Sequence, residues 1–217
     1  MKSPAKESAT HLFLVRHGAT DANLRRPYIL QGSGIDLPLN ETGREQAKGL
    51  AEFLAGFRVA RIYSSPLQRA LGTAREIADR HRLNPEPCDE LTECNVGSWE
   101  GLDWETIRRD FPDAFRAFDE NPAHVPYFGG ESYSDVLRRA RPLLDVLLHR
   151  HVGETIAVVA HNVVNRVISA DLLGLDLRRA RDLHQANGCV NLIRSHNGKT
   201  SLVTLNAVFH LEGSLRV

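Results

Sequence analysis

The apolar positions of the chain form two short, near-continuous runs that stand apart from the amphipathic stretches around them. One run, Phe13-Leu14-Val15, ends in Arg16-His17-Gly18, and the other, residues 155–160, ends in His161. Runs of this length and composition are typical of strands covered on both faces of a parallel sheet. The pattern therefore predicts two buried central strands that each end in a histidine.

Between and after these runs, apolar residues recur at helical spacing, and turn residues separate the stretches. The spacing after Asn40 predicts a helix over residues 41–55. Ser65 and Pro66 predict the cap and first position of a second helix, which places Arg69 in its first turn. The remaining elements are two short helices within 102–128, a long helix after Gly129-Gly130-Glu131-Ser132, a helix after His161, and a hairpin around Asn197-Gly198.

The order of these elements predicts an α/β fold, a three-layer sandwich in which a mostly parallel central sheet carries helices on both faces. A length of 217 residues fits a single domain over 1–217. Residues 1–10 are polar and predict a flexible tail, and residues 102–128 predict a helical excursion that lies over the cleft. Aromatic side chains at this helical spacing are more often used for core packing than for contact with a substrate.

Composition narrows the class of protein. Lys plus Arg and Asp plus Glu are both 27, so no basic excess favours nucleic acid or an anionic membrane surface. No apolar run approaches the roughly 18 to 20 residues that cross a bilayer, and the N-terminal residues do not resemble a secretory signal. Three cysteines without a paired motif favour a reducing, cytoplasmic setting. The sequence leaves the oligomeric state open, with a homodimer as one state to test.

The candidate chemistry lies at the strand ends. In open α/β sheets, ligands bind just beyond the carboxyl ends of the strands, where Arg16 and His17 would project. A guanidinium offers a planar fork of donors to a phosphoryl group, and a neutral imidazole nitrogen can attack phosphorus. Arg69 in the first turn of a helix fits either a solvated side chain or a second anion contact. Taken alone, Arg16 and His17 would also fit two polar residues at the surface end of a strand.

In order and spacing, the motifs of nearly the whole chain resemble the histidine phosphatase superfamily, which includes cofactor-dependent phosphoglycerate mutases and their phosphatase relatives. The motifs that carry the resemblance are Leu14-Val15-Arg16-His17-Gly18, Ser64-Ser65-Pro66-Leu67-Gln68-Arg69, Glu93 with Trp99-Glu100-Gly101, the 129–132 turn, and Val158-Val159-Ala160-His161. One departure is that glycine usually follows the second histidine in this family, whereas Asn162 follows His161 here. The Asn162 side chain would either add a donor to the phosphate site or narrow it.

The resemblance implies a role for each matching residue. His17 would be the nucleophile that becomes phosphorylated, and Glu93 would be the proton donor, although an irregular segment also suits an exposed carboxylate. The phosphoryl oxygens would be held by Arg16, Arg69 and His161, with Asn23 as an auxiliary contact. Two guanidiniums and an imidazole can supply the required charge, so no metal ion and no cofactor is expected. His149 and His151 are not expected to bind a metal ion either, because the sequence shows no third ligand for them.

The predicted function is a metal-independent phosphomonoesterase that hydrolyses a phosphorylated small metabolite through a phosphohistidine intermediate. One alternative is a cofactor-dependent phosphoglycerate mutase, which uses the same residues. It is disfavoured because the segment between Gly101 and Gly129 looks too short for the longer mutase insertion. A second alternative is a protein that binds a phosphorylated ligand without catalysis.

Overall fold

The structure is a computed structural model that describes residues 9–211. Its strands are β1 (Thr10–Arg16), β2 (Val59–Ser64), β3 (Glu86–Pro87), β4 (Thr155–Ala160), β5 (Val190–His196) and β6 (Lys199–Ala207). Its α-helices are α1 (Asp21–Leu24), α2 (Glu41–Leu54), α3 (Gln68–His81), α4 (Trp104–Asp110), α5 (Pro112–Glu120), α6 (Tyr133–Arg150) and α7 (Asn162–Leu172). Residues 1–8 of the predicted tail lie outside the described residues, and the prediction is wrong for Thr10, which begins β1.

The described strands form one sheet in the order β3-β2-β4-β1-β5-β6. The pairs β3–β2, β2–β4 and β4–β1 are parallel, whereas β5 runs antiparallel to both β1 and β6. The mostly parallel sheet predicted from the sequence is therefore confirmed. The apolar runs of β1 and β4 lie at its centre, side by side, with Arg16 paired to Ala160 at their carboxyl ends.

Alternating side chains of the central strands build two separate cores, one on each face of the sheet. Phe13 and Val15 pack with α2 and α3, whereas Leu12 and Leu14 pack with α6, α7 and the aromatic residues of the excursion. Because successive strand residues point to opposite faces, an apolar run is needed to fill both cores at once. This arrangement is the predicted three-layer sandwich.

Most element boundaries follow the predicted caps. The Asn40 side chain accepts a hydrogen bond from Gly43 at the start of α2, and Ser132 caps α6 in the same way. The hairpin between β5 and β6 turns at Asn197 and Gly198, which both have positive φ. Within the described residues, no helix is long and apolar enough to cross a membrane.

The predicted start of α3 is wrong by two residues. Ser65 does not cap the helix: its N–H donates to the Val159 carbonyl and so continues the pairing of β2 with β4, and its hydroxyl accepts from the Leu67 N–H, before the helix begins. The helix begins at Gln68, whose N–H donates to the Asp36 carboxylate. A long-range contact thus replaces the local Ser-Pro start, and Arg69 remains in the first turn.

Candidate active site

His17 and His161 lie side by side because they follow two adjacent parallel strands. The His17 N–H donates to the Ala160 carbonyl, which extends the β1–β4 pairing by one residue. The centroids of the two imidazole rings are 5.0 Å apart. Gly18 lets the chain turn here in close contact with α2, since a β-carbon at residue 18 would lie 2.3 Å from the Gly43 carbonyl oxygen.

The His17 ring is held in one orientation and in its neutral form. Its Nδ1 lies 2.7 Å from the Gly18 carbonyl oxygen, so Nδ1 carries the proton and Nε2 keeps its lone pair. Burial, together with the positive charges of Arg69 and Arg16, lowers the pKa of His17 well below its ordinary value. The same causes, with burial first, lower the pKa of His161. Both rings are therefore neutral at neutral pH, and Nε2 of His17 can act as a nucleophile.

Two buried guanidiniums, those of Arg16 and Arg69, flank the histidines. A terminal nitrogen of Arg16 donates to the Gln185 carbonyl. The two terminal nitrogens of Arg69 donate to the carbonyls of Ile35 and Gly32, at 3.0 and 2.9 Å. The Nε atoms of both arginines are buried and have no hydrogen-bond partner within residues 9–211. Each arginine therefore keeps a donor for an anion. The N–H of Gln68, the first residue of α3, is not such a donor, because it is already bonded to the Asp36 carboxylate.

Glu93 brings a carboxyl group to the same place and is only 5% exposed. Its two oxygens accept from the Cys94 N–H at 2.9 Å and from the Val163 N–H at 3.3 Å. The second bond ties Glu93 to the first turn of α7, next to His161. Glu93 is therefore a buried carboxyl at the phosphate site rather than an exposed one.

The two predicted asparagines also line the cavity. The Asn23 Oδ1 accepts from Thr20 and from the Asn187 side chain, which leaves its amide nitrogen for other contacts. Asn162 is the first residue of α7, and its Oδ1 is buried with no partner among the described residues. The Asn162 side chain therefore lies at the cavity wall, next to His161 in the chain.

A cavity of about 490 Å³ opens over His17, Arg16 and Glu93. Trp104, Phe115 and Phe118 of α4 and α5 form one wall, as the predicted excursion over the cleft requires. The cavity is also lined by residues that the sequence reasoning did not select, among them Gln31, Arg166, His184, Gln185 and Asn187. The loop that carries Gln185 and Asn187 has no periodicity that would identify it. Within residues 9–211, no cluster of His, Cys, Asp and Glu side chains could hold a metal ion.

We expect the free energy of unfolding to fall as the pH drops below about 6.5. The unfolded chain protonates His17 and His161 near pH 6.5, whereas the folded protein does not until much lower pH because their pKa values are lowered. The unfolded state therefore binds extra protons, and each histidine costs about 1.4 kcal/mol per pH unit below 6.5. Urea unfolding in phosphate-free buffers between pH 7.5 and 5 measures this slope. His161→Asn should reduce this slope by the contribution of one proton. An unchanged slope would contradict the conclusion that His161 is neutral in the folded protein.

Comparison with known proteins gives consistent matches over almost the whole chain. The sequence profile of the histidine phosphatase superfamily (branch 1) matches residues 12–208. Phosphoserine phosphatase 1 of Hydrogenobacter thermophilus is 35% identical over 200 residues, which cover 92% of this chain and 93% of that protein. Glucosyl-3-phosphoglycerate phosphatase of Mycobacterium tuberculosis is 35% identical over 77% of each chain. The solved structure of Bacillus stearothermophilus YhfR has a TM-score of 0.86 at 32% identity and covers 94% of this chain and 100% of that one.

Proposed function

The chain belongs to the histidine phosphatase superfamily and is a phosphoric monoester hydrolase of small phosphorylated metabolites, and from that premise we propose that His17 carries the phosphoryl group during turnover. The phosphate of the substrate would bind at the ends of β1 and β4. Arg16, Arg69 and His161 would hold its oxygens there, with Asn23 and Asn162 as further polar contacts. Their fixed positions stabilise the charge of the transferring group without reorganisation.

In the first step, Nε2 of His17 attacks phosphorus and forms a P–N bond as the P–O ester bond breaks. The departing alkoxide takes the proton of Glu93, and the free alcohol leaves. Nδ1 keeps its proton and its bond to the Gly18 carbonyl, which stabilises the ring as it becomes positively charged. His17 then holds the phosphoryl group covalently.

In the second step, a water molecule takes the place of the alcohol. The Glu93 carboxylate accepts a proton from this water as its oxygen forms the new P–O bond. The P–N bond breaks, its electron pair returns to Nε2, and inorganic phosphate leaves. Glu93 is protonated again and His17 is neutral, so the site is ready for the next substrate.

The observation that carries this proposal is the set of buried nitrogens without a partner around His17. They are Nε of Arg16, Nε of Arg69 and both ring nitrogens of His161. Leaving a buried polar group unsatisfied costs about 1–3 kcal/mol, so such groups converge in folded proteins where a ligand satisfies them. All three side chains are cationic or can donate a hydrogen bond, and they therefore suit a phosphate anion.

The phosphatase reaction suits this site better than the mutase reaction. A mutase must keep its intermediate away from water while the substrate reorients. Here the cover consists of α4 and α5, which the buried side chains of Ile107 and Phe118 hold against the core instead of leaving free to close over the cavity as a movable lid. Water can therefore reach the phosphohistidine. The cytoplasmic location and the homodimer stay predictions.

We expect the protein to release inorganic phosphate from 3-phosphoglycerate in the presence of a trace of 2,3-bisphosphoglycerate, and to form 2-phosphoglycerate only marginally. The assay is run with and without exhaustive chelation by EDTA, which should leave the rate unchanged because Arg16 and Arg69 supply the positive charge. A His17→Ala preparation reports contaminating phosphatase. Isomerisation faster than phosphate release would favour the mutase, and a rate that returns only with added magnesium or zinc would contradict metal independence.

A further inference from the structure

One face of α7 continues from the phosphate site into the outer cavity. Asn162 and Arg166 both line the cavity and lie four residues apart, which places them on the same side of the helix. The rise of 1.5 Å per residue separates them by roughly 6 Å along the helix axis. Asn162 lies beside His161, so Arg166 lies beside the part of a substrate that extends away from phosphorus.

Arg166 differs from Arg181 because no carboxylate of the described residues pairs with it, and from Arg108 because it is half-buried rather than exposed. No carboxylate lies within ion-pair distance of Arg166 in the part of the chain that the structure describes, 9–211. Arg181, in contrast, donates to the Asp119 carboxylate at 2.8 Å. Arg108 is exposed, and its guanidinium lies 5.2 Å from the centre of the Phe115 ring.

The Arg166 side chain is also fixed in place. Its Nε donates to the Leu183 carbonyl at 2.8 Å, and the residue is half-buried. This bond leaves the two terminal nitrogens of the guanidinium, a planar pair of donors that matches the two oxygens of a carboxylate. A fixed donor pair loses little side-chain entropy when a ligand binds.

The charge of Arg166 adds to that of the phosphate site. Its positive charge contributes to lowering the pKa of Arg16, so the two guanidiniums repel each other across the cavity. A ligand with two separate anionic groups would relieve this repulsion. The phosphate site offers two guanidiniums and an imidazole, whereas Arg166 offers a single guanidinium, which suits the single charge of a carboxylate.

We propose that Arg166 binds a carboxylate on the organic part of the substrate, so that the enzyme prefers phosphate monoesters of small hydroxy acids. This inference rests on the proposed function, because it takes the phosphate to lie against His17. Arg166 then determines which alcohol the site accepts and takes no part in the transfer of the phosphoryl group.

The test uses two pairs of substrates that differ at the carboxylate. O-Phosphoserine is compared with O-phosphoethanolamine, and 3-phosphoglycerate with glycerol 3-phosphate. We expect the wild type to prefer the carboxylate member of each pair, and Arg166→Gln to lower that preference in kcat/KM by roughly 10- to 100-fold, mainly through KM. This is the usual effect of losing a charge-assisted hydrogen bond. Arg166→Lys, which keeps the charge, should lose less.

The matched control is Arg181→Gln, which removes a guanidinium from the same cavity that Asp119 already neutralises and should leave the preference unchanged. Equal losses on both members of each pair, or a wild type without a preference, would overturn the proposal. Thermal unfolding checks each variant, and if Arg166→Gln does not fold, the wild type and Arg166→Lys decide. Hydrolysis of p-nitrophenyl phosphate separates the two hypotheses: without any His17-dependent hydrolysis the proposed function fails, whereas hydrolysis without carboxylate preference removes only the Arg166 site.

Discussion

His17→Ala should lower the rate of phosphate release on the order of 10⁴-fold or more, because it removes the nitrogen that bonds to phosphorus. Within the described residues, the buried His17 ring hydrogen-bonds to the adjacent Gly18 carbonyl, and loss of the ring leaves the pairing of β1 with β4 intact. The variant should therefore stay folded. Steady-state phosphate release from O-phosphoserine or p-nitrophenyl phosphate measures the loss.

Trapping the intermediate gives a second, independent result. Brief mixing of the wild type with a ³²P-labelled substrate, followed by a denaturing quench, should leave a label on His17 that is stable to base and lost in acid. His184→Ala is the control, because His184 is a histidine in the same cavity that does not follow a strand. It should keep both activity and label, whereas a label on serine, or an active His17→Ala protein, would refute the mechanism.

Glu93→Gln should slow the hydrolysis of alkyl phosphates by roughly 100- to 10,000-fold, the usual contribution of a general acid. An alkoxide is a poor leaving group and needs the proton, whereas p-nitrophenolate does not. The formation of phosphohistidine from p-nitrophenyl phosphate should therefore slow much less, and rapid-quench measurement of the nitrophenol burst reports that step. Asp119→Asn is the matched control, since Asp119 is the other carboxylate among the described residues that line the cavity.

The hydrogen bonds of Glu93 add a structural effect that the measurement must separate. Both carboxylate oxygens accept from backbone N–H groups, of Cys94 and Val163, and the amide of glutamine can accept at only one of these positions. The variant should lose about 1–3 kcal/mol of unfolding free energy if the amide group remains against an N–H. Equal rate losses for alkyl and nitrophenyl substrates would show that this structural effect, and not proton transfer, explains the result.

The centre of the site could be predicted from the sequence because short apolar runs determine where its histidines lie. Residues 13–15 and 155–160 can each fill two cores only as central strands, so His17 and His161 had to emerge at the same edge of the sheet. The placement of Glu93 depended on the family resemblance. Its segment is irregular, and the bond to Val163 that orients it joins residues 70 positions apart.

The outer cavity could not be predicted from local patterns. Arg166 lies on a helix whose apolar spacing was recognised, but its lack of a carboxylate partner depends on which side chains surround it in the fold. Gln185 and Asn187 follow a short 3-10 helix, Leu177–Asp182, and have no repeating pattern. The start of α3 was missed for a related reason, since the contacts of Ser65 with Val159 and of Gln68 with Asp36 are both long-range.

The pairing of β1 with β4 also has a consequence for how the protein folds. The Thr10 hydroxyl donates to the His151 carbonyl, and these two residues are 141 positions apart in the chain. During synthesis, β1 leaves the ribosome long before its central partner, and its apolar side chains have no sheet to join until β4 follows. Pairs so distant in sequence form slowly, because a large loop must close before their contacts stabilise it. Enzymatic activity should therefore appear together with completion of the sheet, so the recovery of activity during refolding directly reports this late step.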